Sequence, residues 1–316
     1  MALFLRKTGG AISDDARKRI ASLKPLPTLD MWRNPVTRGF ARRLANEEWR
    51  KSLDKIDFQF RFSATNFGGV DGVYMETDSA DNASTDPSPL ILFVHGGGFV
   101  AGGAEVRAGS VLPSCHLSGC DAFGPDCSLL PEAVFPTQID EADQAYRALC
   151  TEHSGRKIIL FAESTGCAVA LAALMRWREE GHPLPESVVL LSPCIDGTGA
   201  SDTHIALDGR DPLIKSSHGA YARSLFRFYA PDHPLDDEAV SPIYGDFEKL
   251  PRMLIQAGSR EVFLGDAARL SQHARRAGVD ARLQIFDGMY QGFHADWDLQ
   301  EAREAHQDIA DFIRAL

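Results

Sequence analysis

Two kinds of apolar pattern alternate along this chain. Short uninterrupted runs, Leu90-Ile91-Leu92-Phe93-Val94, Ile158-Ile159-Leu160-Phe161-Ala162 and Met253-Leu254-Ile255-Gln256-Ala257, have the character of strands buried on both faces of a sheet. Arg282 to Phe286 reads as a further strand, and Asp57 to Phe62, with its alternating aromatics, and Val70 to Glu76 read as two more. Ala168 to Arg178, rich in Ala and Leu, predicts a helix directly after the second run. The first 55 residues predict amphipathic helix, with pieces at Asp14 to Ile20 and Phe40 to Leu44 broken by Pro25, Pro27 and Pro35. Residues 78–89 predict an exposed polar loop, and Ser118 to Pro125, with Gly119, Gly124 and a terminal proline, are poor strand material. At 316 residues the pattern fills one large α/β domain, or one domain with a small appendage.

Composition narrows the partners. The chain is 44% hydrophobic and 24% charged, enough to build its core without a disordered segment. Its formal net charge of −11 argues against nucleic acid or an anionic membrane surface, since both are bound through a basic face. No run is long enough to span a bilayer, and the apolar start before Arg6 and Lys7 falls short of a signal-peptide core. The expectation is a soluble, cytoplasmic protein. Cys115, Cys120, Cys127, Cys150, Cys167 and Cys194 show no Cys-x-x-Cys spacing, so they read as thiols in a reducing compartment, and neither a metal nor an organic cofactor is expected.

The chemistry is concentrated where strand runs end. Ser164 sits in Ala162-Glu163-Ser164-Thr165-Gly166, between the second run and the Ala-rich helix. That is the Gly-x-Ser-x-Gly nucleophile elbow with its first glycine replaced by alanine: a sharp corner lifts the serine hydroxyl above the sheet, and the helix start offers N–H groups to a developing oxyanion. A plain strand-to-helix turn can also carry a serine. At the end of the first run, His95-Gly96-Gly97-Gly98-Phe99 places three glycines where backbone can approach a ligand and present N–H donors. A phosphate-cradling loop fits poorly, because neither Gly-x-Gly-x-x-Gly nor Gly-x-x-x-x-Gly-Lys occurs. His95 reads as a structural hydrogen-bonder of the loop rather than a base.

With His-Gly-Gly-Gly-Phe followed by the Ser164 elbow, the chain resembles the hormone-sensitive-lipase-like carboxylesterases of the α/β-hydrolases. Asp126-Cys127-Ser128-Leu129-Leu130-Pro131-Glu132, Ser192-Pro193-Cys194-Ile195-Asp196 and Ser241-Pro242-Ile243-Tyr244-Gly245-Asp246 resemble further family segments, so the likeness covers roughly residue 60 onward. It implies a doubly wound, mostly parallel α/β-hydrolase sheet with a helical cap. The cap would comprise helices in 1–55 and an insertion at 197–235 that carries Phe226, Phe228 and Tyr229, leaving 56–196 and 236–316 as the core. Asp211-Pro212-Leu213 falls in that insertion, and Asp211 is read as a helix N-cap.

A serine nucleophile needs a base and an orienting acid. The resemblance orders them serine, acid, histidine, and implies an oxyanion hole from the N–H groups of Gly97, Gly98 and Thr165, with Gly96 shaping the loop. After the run ending at Gly258, Arg260 stands where many relatives have Asp, so Glu261 is read as the acid in preference to Asp266. The segment expected to carry the histidine reads Asp287-Gly288-Met289-Tyr290-Gln291-Gly292-Phe293-His294, which places Gln291 in the base position. Glutamine has no group that ionises near neutral pH and cannot shuttle the proton. His294 is the candidate surrogate base, against an ordinary role at a helix start. The implied activity is that of a carboxylesterase-like hydrolase acting on a small or medium apolar ester or related carbonyl compound, and a homodimer is compatible with it. The alternatives are a non-hydrolytic cyclase or lyase, as in dehydratases related to plant carboxylesterases, and a ligand-binding pseudo-hydrolase like the gibberellin receptors.

Overall fold

The computed structural model describes residues 12–79 and 88–315. Eight strands form one sheet: β1 (Phe60–Phe67), β2 (Val70–Thr77), β3 (Leu90–Val94), β4 (Asp121–Pro125), β5 (Ile158–Glu163), β6 (Ser187–Leu191), β7 (Met253–Gly258) and β8 (Ala281–Phe286). Their order is β1-β2-β4-β3-β5-β6-β7-β8. The β1–β2 and β2–β4 pairs are antiparallel and the rest are parallel. Ten α-helices occur among the described residues: α1 (Asp14–Ser22), α2 (Leu29–Arg33), α3 (Pro35–Arg50), α4 (Leu112–Ser118), α5 (Thr137–Glu152), α6 (Gly166–Glu179), α7 (Thr203–Ala206), α8 (Ala220–Tyr229), α9 (Leu264–Arg276) and α10 (Gln300–Arg314).

The uninterrupted apolar runs follow from the sheet being covered on both sides. Leu90, Leu92 and Val94 of β3, with Ile158, Leu160 and Ala162 of β5, face a core closed by α5, α6 and α9. Their neighbours Ile91, Phe93, Ile159 and Phe161 face a second core closed by α4 and α10. Strand side chains alternate between faces, so a strand with a core on each side has no solvent position left for a polar residue. The C-terminal ends of β3, β5, β6 and β7 then share one rim of the sheet, which is where open α/β sheets bind ligands.

Several expectations are corrected. The first strand runs over Phe60–Phe67, not Asp57 to Phe62, because the Gly68-Gly69 turn sets a register that pairs Phe67 with Val70 and Phe60 with Thr77. The stretch that looked like poor strand material forms β4, buried between β2 and β3. Gly124 belongs there because a Cβ would lie 2.6 Å from the Ala104 methyl, so packing overrides propensity. Pro35 opens α3 at its first turn instead of only breaking a helix. Asp211 caps no helix. It lies between α7 and α8, where one carboxylate oxygen accepts from the Leu213 and Ile214 N–H groups and the other from the Val262 N–H at 3.1 Å, tying this segment to the loop after β7. The loop expected at 78–89 falls mostly outside the described residues.

Helix α8 lies over the glycine loop. Tyr229 stacks on Phe99 with ring centroids 4.0 Å apart, and Phe226 packs so closely that a Cβ on Gly197 would sit 2.6 Å from it. At the other end of the chain order, Ser13 caps α1 and donates from its N–H and hydroxyl to Glu301 of α10, while Arg19 of α1 pairs with Asp296 at 3.0 Å.

Candidate active site

Ser164 occupies the corner between β5 and α6 with φ of +51°, a left-handed conformation that a non-glycine residue holds only when its surroundings impose it. Its N–H donates to the Leu191 carbonyl at 2.9 Å, and its carbonyl accepts from Cys167 at 3.1 Å and Cys194 at 3.2 Å. Gly166 lets α6 start against β3, since a Cβ there would meet the Val94 carbonyl oxygen at 2.3 Å. The glycine loop comes equally close: a Cβ on Gly96 would lie 2.9 Å from the Ser164 Cβ, and one on Gly97 would lie 1.9 Å from the Ala101 carbonyl oxygen. The N–H groups of Gly97 and Thr165 have no acceptor among the described residues, while the Gly98 N–H donates to the Thr165 hydroxyl at 3.1 Å. His95 accepts no catalytic partner. Its Nδ1 lies 2.7 Å from the Gly96 carbonyl, and burial holds its pKa below the ordinary value.

Glu261 is fully buried, not a solvated surface carboxylate. One oxygen accepts from the Gly258 N–H at 2.6 Å and the other has no donor among the described residues. Burial pushes its pKa up to about 8; the nearby Ser192 hydroxyl and the Gly258 N–H oppose that, and Asp211 and Asp266 add to it. Asp266, the other acid considered, accepts from the Ile195 N–H at 3.2 Å and is also raised to about 8, first by burial and then by Asp196. Ser192 distinguishes the two. Its hydroxyl lies close enough to Glu261 to lower that carboxyl's pKa, and it accepts from the Gly292 N–H at 3.1 Å, so it sits between Glu261 and the loop that carries Gln291. The same two loops meet where a Cβ on Gly258 would lie 2.2 Å from the Met289 carbonyl oxygen.

Gln291 is 9% exposed, on the loop whose Gly292 N–H reaches Ser192. His294 is fully buried in a short turn next to Phe293; both ring nitrogens lack partners among the described residues, and burial followed by the neighbouring His306 drives its pKa well down. No carboxylate orients it. The structure therefore gathers the Gly96–Gly98 loop, Ser164, Thr165, Ser192, Glu261 and the Gln291 loop along one rim, and sets His294 among apolar and histidine neighbours.

One part of the site was not anticipated. Glu163, next to Ser164, is 2% exposed and pairs with Arg107, itself 8% exposed, with Nε 2.7 Å from Oε1. The guanidinium also lies 4.7 Å from the ring centre of Trp49 of α3 and would be 3.7 Å from a Cβ on Gly292. Arg107 thus reaches the nucleophile turn, the N-terminal helices and the Gln291 loop at once. Nothing in the sequence marks it, because its partners lie 56 and more residues away. Ser192 had a signal, the Ser-Pro pair after β6, but no role could be read from it.

The raised pKa of Glu261 makes a stability prediction. Below its ordinary value of 4.5 the carboxyl is protonated folded and unfolded, and the native state carries no penalty. As pH rises from 4.5 to about 8 the native state holds a proton the unfolded chain has released, and above about 8 it buries a charge, so stability falls across that window. Glu261→Gln should therefore match the parent in urea unfolding near pH 4.5 and exceed it by roughly 3 kcal/mol near pH 9. Equal stability at both pH values would show the carboxyl to be ordinary.

Among the described residues no three His, Cys, Asp or Glu side chains converge to hold a metal, and no helix is long and apolar enough to cross a membrane. A family model for the α/β hydrolase fold matches residues 91–295. An acetyl-hydrolase of Streptomyces hygroscopicus is 33% identical over 239 residues, 71% of this chain and 75% of its own length. An esterase of Acinetobacter venetianus is 29% identical over 237 residues, 74% of this chain and 77% of its own. Among solved structures, an esterase from the bacterial hormone-sensitive lipase family superposes with a TM-score of 0.81 at 27% identity, covering 96% of this chain and 99% of that one. A hormone-sensitive lipase from a metagenome library does so with a TM-score of 0.81 at 26% identity, covering 95% and 98%.

Proposed function

This chain belongs to the α/β-hydrolase family and is carboxylesterase-like, and from that premise we propose that it acts on a small or medium apolar ester, or a related carbonyl compound, through Ser164 with a degenerate base position at Gln291. Glu261 is the orienting acid, Gly96 shapes the loop, and the N–H groups of Gly97 and Thr165 receive the oxyanion, while the Gly98 N–H, expected in the hole with them, is given to the Thr165 hydroxyl. The helices of residues 1–55 and the insertion at 197–235 act as the cap, and α8 is the wall that limits the acyl group. The observation that carries this reading is the Ser164 corner, whose left-handed φ of +51° sits against the three-glycine loop and a free helix-start N–H.

In acyl transfer the Ser164 oxygen bonds to the substrate carbonyl carbon while the carbonyl π electrons move onto oxygen in the hole and a base takes the serine proton; the tetrahedral adduct then breaks its bond to the alcohol oxygen, which receives that proton and leaves. A histidine would take that proton; Gln291 cannot. The chain as it stands is therefore slow at the first step unless His294 turns toward Ser164. Gln291 itself carries a second reading: a side chain that cannot take the serine proton leaves the same pocket able to bind a ligand, or to promote elimination or cyclisation, without acylating Ser164. Labelling with a fluorophosphonate separates them. Rapid, stoichiometric labelling that Ser164→Ala abolishes supports the hydrolase; labelling no faster than that of a free serine hydroxyl favours the second reading.

A further inference from the structure

One of the three backbone donors expected in the oxyanion hole is already spent inside the protein. The backbone N–H of Gly98 has a single hydrogen, and it is directed at the Thr165 hydroxyl oxygen 3.1 Å away. The N–H groups of Gly97 and Thr165 have no acceptor among the described residues. Thr165 is 2% exposed, and with Phe99, Leu129, Gln138 and Val169 it lines a small, partly open pocket of about 20 Å³, room for one water. A threonine side chain in such a setting is stiff about χ1, and turning its hydroxyl away would bring a methyl or hydrogen against Gly98 and orphan that N–H.

We propose that the Thr165 hydroxyl is a positioning group of the glycine loop, which holds the Gly98 N–H out of the oxyanion hole and leaves a hole of two backbone donors, Gly97 and Thr165. This rests on the hydrolase reading of Ser164. The hydroxyl tethers the loop to the nucleophile turn and sets Gly98, whose φ is +66°, in a fixed orientation. A small residue at 165 would keep its own N–H in the hole and release the third donor. Each oxyanion donor is worth about 10²- to 10³-fold in turnover, so the tether holds the site well below what the same backbone could support.

The test combines a kinetic and a structural readout. In the Gln291→His background, Thr165→Ala should raise kcat on p-nitrophenyl acetate by tenfold or more with KM changed less than threefold, and Thr165→Ser, which keeps the hydroxyl, should not share that gain. Amide hydrogen exchange in the unmodified chain should show Gly98 protected, with protection lost in Thr165→Ala and retained in Thr165→Ser. An unchanged or lower kcat in Thr165→Ala overturns the proposal, and a loss that serine restores would make the hydroxyl itself a donor to the oxyanion. If the Gln291→His chain has no Ser164-dependent turnover, the hydrolase reading falls and the tether is decided at the Gly98 amide, where equal protection in all three chains overturns it.

Discussion

Gln291→His should raise kcat/KM for a short-chain p-nitrophenyl ester by about 10³-fold or more, and Ser164→Ala should erase the gain. Loss of one triad member typically costs about 10⁴- to 10⁶-fold, and a restored base in a site that has not been tuned around it recovers part of that. The structure supplies a physical reason to expect recovery at this position. Glu261 carries a buried oxygen without a donor, and its pKa is raised to about 8 mainly by that burial. An imidazole at 291 would offer one N–H to this oxygen and use its other nitrogen to take the Ser164 proton. The new donor would also favour the Glu261 carboxylate, which then stabilises the imidazolium formed during attack. The gain should accordingly appear in kcat, with a pH profile that rises through the histidine pKa. A parent chain that is already fast, depends on Ser164 and is indifferent to the new histidine would place the base elsewhere, with His294 the nearest candidate.

The second large effect lies beneath the nucleophile. Arg107→Met should destabilise the fold by about 3–5 kcal/mol, because it leaves the Glu163 carboxylate buried without its cation. Methionine keeps most of the packing volume, so the loss reports charge rather than a cavity. The double variant Arg107→Met/Glu163→Gln, in which neither charge remains, should recover at least half of it. Urea unfolding at one pH measures all three. A single-variant loss below about 1 kcal/mol would mean that water reaches Glu163 and screens it, contrary to its 2% exposure. Because Glu163 adjoins both Ser164 and Gly96, the same variant should also lower turnover in the Gln291→His background, even under conditions where it remains folded.

How much of this was visible in advance divides along a physical line. The central strands and the Ser164 corner are local: a continuous apolar run, a small-residue turn and an Ala-rich helix occupy consecutive residues. The glycine loop was equally legible, since three adjacent glycines after a buried strand have few other uses. What stayed hidden depends on approach between distant segments. The β4 strand forms against local preference because Gly124 must admit Ala104, and Asp211 looked like a helix cap until its second oxygen was found on Val262. Glu261 could be proposed from position, but its burial and the bond from the Gly292 N–H to Ser192 are set by loops that meet only in the folded sheet. The Arg107–Glu163 pair has no motif, and the Thr165 hydroxyl on Gly98 is a matter of one hydrogen's direction.

The attachment of α1 has a consequence for how the molecule is made. Ser13 finds its partner Glu301 across 288 residues of sequence, and Arg19 reaches Asp296 across 277. At a synthesis rate of roughly 5–20 residues per second, α1 leaves the ribosome about 15–60 seconds before either carboxylate exists to receive it. A nine-residue helix cannot persist alone for that interval. A nascent chain paused before Asp296 would leave its N-terminal helix undocked and the Phe93 and Phe161 face of the sheet without α10, a state that proteases and chaperones can reach and that the finished molecule does not present.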